Sequence, residues 1–308
     1  MGWTKLKLTV AIILLVSNLI LCFCVISLYR STEYLPEDSL TAISRMLEEE
    51  SIYLGEEVLT GEKPNLLIYE GGLGDDYYIR VAEALSTSSR RLSFNTPSGY
   101  VMTMENGDRV SFQNGFGIRY VSGEAPTLSL QTPEPQSLVE LNASEARELR
   151  RIVSSFLEKA QKSSGDVQSL SLSFQILFCG DDPLTGLRYC VCTQNARHTP
   201  VVNLISTFAV KDGEVVGMAG EWCFARADAS YSAQLMDQIN ILYTVKDRIR
   251  EKQTDSRTPV TVCSLTLGYT SYLRGDTDQF YLIPAWSLEL QDGNTYVINA
   301  LDGAEYTK

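Results

Sequence analysis

Histidine is nearly absent from this 308-residue chain: His198 is the only one, in the polar stretch "NARHTP". One imidazole with no second ligand at metal spacing excludes a histidine-based zinc site, and a loop position suits a solvated side chain better than a general base. The nucleophile-elbow pattern G-x-S-x-G and the zinc-hydrolase pattern H-E-x-x-H do not occur, and no lysine stands three residues after a serine. The expectation is a non-enzyme with no catalytic residue, no metal and no cofactor. Basic charge is also scarce. Three of the 26 Lys and Arg fall in residues 1–30, leaving 23 against 38 Asp and Glu, a formal charge of −15. That excludes nucleic acid as a partner and direct adhesion to anionic lipid or wall polymers. At 44% hydrophobic residues the body is globular, not a disordered stalk.

Charge is missing altogether from "LTVAIILLVSNLILCFCVISLY", Leu8 to Tyr29. As a helix these residues would extend about 33 Å, enough for a hydrocarbon core of about 30 Å. The run ends without the small-x-small pattern of a cleaved secretory signal, and neither Cys22 nor Cys24 follows the small residue a lipoprotein signal needs. The expectation is therefore a retained single-pass transmembrane helix over 8–29. Lys5 and Lys7 before it, and Glu33, Glu37 and Asp38 after it, put residues 1–7 in the cytoplasm and the remainder outside the cell membrane. Asn18 lies mid-span, with Ser17, Leu21 and Cys24 on a neighbouring face. Such an amide either bonds a partner helix or is simply tolerated.

Beyond residue 30 the chain reads as α+β, with antiparallel sheets packed against helices. Residues 30–125 make an N-terminal extracellular domain, 126–136 a proline-rich linker, and 137–308 a C-terminal domain of two helix-plus-strands units, about 137–228 and 229–308. An acidic helix capped by Asp38 or Ser39 carries Leu40, Ile43, Met46 and Leu47 as its stripe, and a second short helix follows at 75–86. Asn106-Gly107, between two alternating runs, has the composition of a type I′ turn. In "NASEARELRRIVSSFLEKAQK" Asn142 caps a long helix and Glu145 stands three residues on, a variant of the capping box; this explains Asn142 better than a glycosylation sequon does. A second long helix is expected from Ser232 to about Lys252. Hairpins turning on Asp212-Gly213 and Asp292-Gly293 suggest an internal repeat. Five cysteines lie outside the span (Cys179, Cys190, Cys192, Cys223, Cys263), too odd a number for a closed disulfide framework, with Cys190 and Cys192 on one strand face. They read as small buried apolar side chains, with one disulfide as the rival reading. Trp286 in "IPAWSLEL" is either a groove anchor or a core residue, and the core is the better expectation.

The opening "MGWTKLK", the apolar run after it, "STEYLPEDSLTAISRMLEEESIYLG" and the closing "YLIPAWSLELQDGNTYVINALDG" together resemble the YycH/YycI family. Pro284, Trp286, Asn299, Ala300 and Gly303 are also similar to PepSY-like domains, where such residues are structural. The resemblance implies a membrane-anchored, non-catalytic regulator of a WalK (YycG)-like sensor histidine kinase controlling cell-wall metabolism. It would act through its transmembrane helix (Ser17, Asn18, Leu21, Cys24) and extracellular contacts. The implied partners are that kinase, a YycH-like accessory protein and a second copy of the chain. The alternative is a PepSY-like module that binds or inhibits an extracellular peptidase.

Overall fold

A computed structural model describes residues 14–22, 34–56, 58–61, 64–74, 76–86, 91–96, 99–113, 115–125, 138–163, 173–251, 258–275 and 277–306. The chain divides into two compact units that do not follow chain order. Unit 1 takes residues 1–65, 235–266 and 288–304, and unit 2 takes 66–234, 267–287 and 305–308. The proline-rich linker expected at 126–136 lies outside the described residues.

Unit 1 is built on helices α1 (Glu37–Glu49) and α4 (Gln238–Glu251), with strand β1 (Ile52–Leu54), the first half of β13 (Val260–Leu273), the end of β14 (Gln279–Leu290) and β15 (Thr295–Asn299). Ile43 and Leu47 of α1, four residues apart, share one face and are buried. Ile241, Leu242, Val245 and Ile249 do the same on α4. The caps differ from expectation. Pro36, in extended conformation, precedes α1 and no side chain caps it; its start is marked by Glu37 and Asp38, whose charge suits the helix N-terminus. The helix expected from Ser232 begins six residues later, because residues 227–232 form a strand and Asp237 caps α4 by accepting from the Asn240 N–H at 2.9 Å. Gln238, 2% exposed, accepts from the Gly61 N–H at 3.1 Å and donates to Thr60 Oγ1 at 3.0 Å, fixing a loop far away in sequence.

Unit 2 holds β2 (Leu67–Gly72), α2 (Tyr77–Leu85), β3 (Arg91–Thr96), β4 (Gly99–Met104), β5 (Arg109–Gln113), β6 (Gly117–Val121), β7 (Val139–Glu140), α3 (Ala143–Ser163), β8 (Phe174–Asp181), β9 (Arg188–Ala196), β10 (Thr199–Lys211), β11 (Glu214–Glu221) and β12 (Ala227–Ser232). Its strands run in the order β12-β2-β14-β13-β10-β11-β6-β5-β4-β3, with β9, β8 and β7 added beside β10. Leu149, Val153, Leu157 and Ala160 of α3 pack into a core that contains Phe208, Trp222, Phe224 and Phe280. The capping box at its start is complete: Asn142 Oδ1 accepts from the Ser144 and Glu145 N–H groups, and Glu145 Oε2 accepts from the Asn142 N–H at 3.0 Å. Asp212 and Gly213 have φ of 50° and 82°, the two left-handed residues of a tight hairpin between β10 and β11. At Asn106-Gly107 the expected type I′ turn is not formed. Only Gly107 has positive φ, and the Asn106 side chain turns instead to Asp108, donating to its Oδ2 at 2.9 Å.

The expected fold class is corrected on three counts. The sheet is mixed, not antiparallel: β1 runs parallel to β13, and β10 pairs parallel with β13 where Val201 faces Tyr269. These pairings join segments far apart in the chain, Ile52 to Val260 and Val201 to Tyr269, and local hairpin signals do not report them. The units are not one helix on one antiparallel sheet each, since unit 1 carries more than one helix and a parallel pair. Among the described residues no helix is long and apolar enough to cross a membrane. Within Leu8–Tyr29 the described helix covers 14–22, about 14 Å of rise against the roughly 30 Å required. The other residues of that run lie outside the described residues.

Candidate functional site

The hairpin β8–β9 of unit 2 offers a surface built for contact. One side of β8 is paired to β9 from Phe174 opposite Gln194 to Asp181 opposite Arg188, interrupted by a bulge between Ile176 and Phe178 that leaves Leu177 without a partner in β9. On its other side β7 covers only Gly180 and Asp181. Residues 174–178 thus present a strand edge with no described strand beside it, the kind of edge that proteins either guard or use. No charged side chain guards it: the sequence there is Phe-Gln-Ile-Leu-Phe. Leu177 is 48% exposed, and Val139 on the neighbouring β7 is 58% exposed.

Beside this edge lies a cleft of about 550 Å³ between β8, the chain before α3 and the first turn of α3, lined by Leu138, Leu141, Ala146, Ile176, Leu177, Phe178 and Cys179. Its lining side chains are apolar apart from the Cys179 thiol, so it suits aliphatic or aromatic side chains, while backbone groups supply its polar surface. The hairpin's tip adds a third element. Asp182 Oδ1 accepts from the Leu184 N–H at 2.9 Å and its Oδ2 from the Thr185 hydroxyl at 2.6 Å; these bonds hold its carboxyl below the usual carboxylate range. With Pro183 at the second position and Gly186 at φ 68°, the loop is rigid, and it holds Leu184 94% exposed. An exposed leucine on a hydrogen-bonded turn costs solubility and offers an apolar contact to a partner.

Other clefts are polar. One of about 280 Å³ lies among α2, α3 and the β10–β11 turn, with Arg151, Lys159 and Glu214 on its rim. Below it, buried Asp108 accepts from the Ser86 hydroxyl at 2.8 Å and the Gly123 N–H at 2.9 Å, so its carboxylate is spent on holding loops together. Among the described residues no three His, Cys, Asp or Glu side chains are placed to hold a metal ion.

The residues singled out from sequence fall as follows. Ser17, Asn18 and Leu21 lie on the exposed helix at 14–22, and Cys24 lies outside the described residues. Trp286 is 3% exposed and Pro284 is buried, so Trp286 is a core residue and anchors no groove. Asn299, Ala300 and Gly303 form the terminal turn of unit 1. Asn299 Oδ1 accepts from the Leu301 N–H at 2.8 Å, Ala300 O from the Met236 N–H at 2.7 Å, and Gly303 O from Arg248 at 2.7 Å. Gly303 has φ 73°, with Met236 and Thr244 at 3.3 Å from where a Cβ would stand. Structure therefore brings these residues together as a fastening, with Ala300 and Gly303 buried and Asn299 half-buried. His198 sits exposed in the β9–β10 turn. The β8 edge and its cleft were not singled out from sequence. Their only signal there is the apolar run before "GDDPLTG", which reads equally well as a buried strand.

No protein-family model matches the chain, and no curated protein matches it. Solved structures do. An uncharacterized protein from Eubacterium rectale is similar over 84% of this chain and 91% of its own, at 10% identity and a TM-score of 0.53. The C-terminal domain of Bacillus megaterium YpeB is similar over 77% of this chain and 97% of its own, at 11% identity and a TM-score of 0.31. The first likeness is one of fold alone, and the second is too distant to bear on this chain.

Proposed function

We propose that this chain is a non-catalytic regulator of a WalK/YycG-like sensor histidine kinase that controls cell-wall metabolism, of the YycI-like kind its terminal sequences resemble. It works at the cell membrane, to which the charge-free run Leu8–Tyr29 directs it, with its acidic body outside. The observation that carries the reading is the β8 edge with the cleft beside it and the exposed Leu184 at its tip. Such a surface takes an extended segment of a protein partner by strand addition, with alternate side chains entering the cleft. The partner is the kinase's own extracellular domain or a YycH-like accessory protein bound to it. The exposed apolar helix at 14–22, with Ser17, Asn18 and Leu21, supplies a second contact. A coupling of about 1–3 kcal/mol between partner contact and kinase state gives roughly a 5- to 150-fold change in output.

The experiment is kinase autophosphorylation in vesicles, with and without the full chain, and with Leu177→Glu and Asn18→Leu variants. The expected result is a several-fold change in autophosphorylation that Leu177→Glu abolishes and Asn18→Leu weakens. No effect of the full chain on any envelope sensor kinase of its cell, together with capture of a secreted peptidase, would move the function to peptidase binding.

A further inference from the structure

Three cysteines converge on one face of the β8–β9 hairpin. Cys179 of β8 stands directly opposite Cys190 of β9 in the antiparallel register. Cys190 and Cys192 follow on the same strand face, their sulfurs 3.3 Å apart. Cys190 and Cys192 are fully buried, whereas Cys179 is partly exposed and lines the apolar cleft. The three thiols thus form a buried pair with one entrance.

We infer that this cluster is a thiol–disulfide exchange site, in which Cys179 takes up a low-molecular-weight disulfide from the cleft and Cys190 resolves it. The Cys179 thiolate attacks one sulfur of the small disulfide; that S–S bond breaks and one small thiolate leaves, giving a mixed disulfide on Cys179. The Cys190 sulfur then attacks the Cys179 sulfur, the second small thiolate leaves, and a Cys179–Cys190 bond remains. Two protein thiols give up two electrons and two protons, and the small disulfide is reduced to two thiols.

The Cys190 and Cys192 sulfurs touch, at 3.3 Å, but backbone register favours a bond between Cys179 and Cys190. Directly opposed residues in an antiparallel ladder have Cβ atoms about 4.5–5.5 Å apart, close to the roughly 3.5–4.5 Å of a disulfide. Residues two apart on one strand have Cα atoms about 6.4–6.8 Å apart and parallel Cβ vectors, at the edge of what a disulfide allows. Cys192 serves instead as the hydrogen-bonding neighbour of Cys190. That bond and burial keep the Cys192 thiol protonated, with its pKa raised. A protonated Cys192 can donate to the Cys190 sulfur as negative charge develops there. Cys223, buried elsewhere in the unit, and Cys263, exposed in unit 1, have no such cysteine neighbours in the strand register. The inference rests on the thiols alone and not on which protein the hairpin binds.

The test uses the folded full chain with Cys22, Cys24 and Cys263 replaced by Ser, incubated with oxidised glutathione, alkylated, and digested without reduction. Trypsin cuts after Arg188, placing Cys179 and Cys190 in different peptides. Mass spectrometry should find the Cys179 peptide joined to 189–197, with fragmentation placing the bond on Cys190. The linked product should fall at least tenfold in Cys179→Ser and persist in Cys192→Ser. In both Cys190→Ser and Cys190→Ala, reaction should stop with glutathione on Cys179. Native protein that takes up no glutathione at Cys179 would overturn the site. So would a bond between Cys190 and Cys192, or glutathione resting on Cys179 while Cys190 is present.

Discussion

The two units are built from different materials. Unit 1 closes its core with aliphatic side chains, Ile43, Leu47, Ile52, Ile241, Val245 and Ile298 among them, and Tyr296 is its buried aromatic. Unit 2 buries Phe208, Trp222, Phe224, Phe280 and Trp286, and the edge-to-face pair Phe156–Phe208 at 6.4 Å joins its helix α3 to its sheet. Each unit fixes a distant loop with one buried glutamine, but not equally. Gln238 in unit 1 receives one peptide N–H, from Gly61. Gln194 in unit 2, 3% exposed, clamps both sides of Cys223: it accepts from the Cys223 N–H at 3.0 Å and donates to the Cys223 carbonyl at 2.7 Å. The contrast teaches that the smaller unit is held by helix stripes and the larger by aromatic interlock and side-chain clamps. The strand edge, the cleft and the cysteine cluster all belong to the latter.

Breaking the cores comes first in size. Trp222→Ala should cost about 3–5 kcal/mol and Leu47→Ala about 2–5 kcal/mol of unfolding free energy in urea, since each deletes a fully buried side chain. Both described tryptophans, Trp222 and Trp286, lie in unit 2, so native Trp emission should change in the first variant and stay constant in the second.

Alkaline pH should separate the units next. Burial pushes the Cys223 thiol and the Tyr120 hydroxyl up to about 12 each, and it raises Tyr77 and Tyr269 as well, all in unit 2. These groups bind protons more tightly folded than unfolded. Stability is therefore complete below their ordinary values, about 8.5 for Cys and 10 for Tyr, and falls as pH climbs from there toward about 12. Urea midpoints measured between pH 8 and 11.5 should decline, and Cys223→Ala should flatten the earlier part of that decline.

The glutamine clamps sharpen the comparison further. Replacing Gln194 by Leu orphans a buried N–H and a buried C=O, at about 1–3 kcal/mol per group, whereas Gln238→Leu orphans one peptide N–H. The first should be the more damaging in urea unfolding. Smallest is Asn142→Ala, which removes the helix cap of α3 and should cost about 1 kcal/mol.

What was legible in the sequence was local. Asn142 with Glu145, Asp212-Gly213, and the shared face of Cys190 and Cys192 each depend on residues within a few positions, and each is formed as expected. Ile43 and Leu47 were readable as a stripe for the same reason. What was not legible depends on partners far along the chain. The parallel pairing of Ile52 with Val260, the opposition of Cys179 to Cys190 and the return of residues 235–304 to the N-terminal unit are set by tertiary register. Asn106-Gly107 shows the same override at short range, because Asp108 is buried and claims the Asn106 amide. The strand Ala227–Ser232 was missed although Ala227, Ala229 and Tyr231 alternate with polar residues, because two of the three are alanines and the period is weak.

The β8 edge and its cleft are proposed to carry a regulatory contact with a sensor kinase. This contact is tested most directly by a bacterial membrane two-hybrid assay between the full chain and the wall-associated sensor kinase of the same cell, comparing the native chain with Leu177→Glu and Leu184→Glu. Both side chains are exposed, so stability should change by no more than about 0.5 kcal/mol. The account predicts a clear native signal that both substitutions reduce at least fivefold while the protein remains folded and abundant. An undiminished signal in both variants would contradict it.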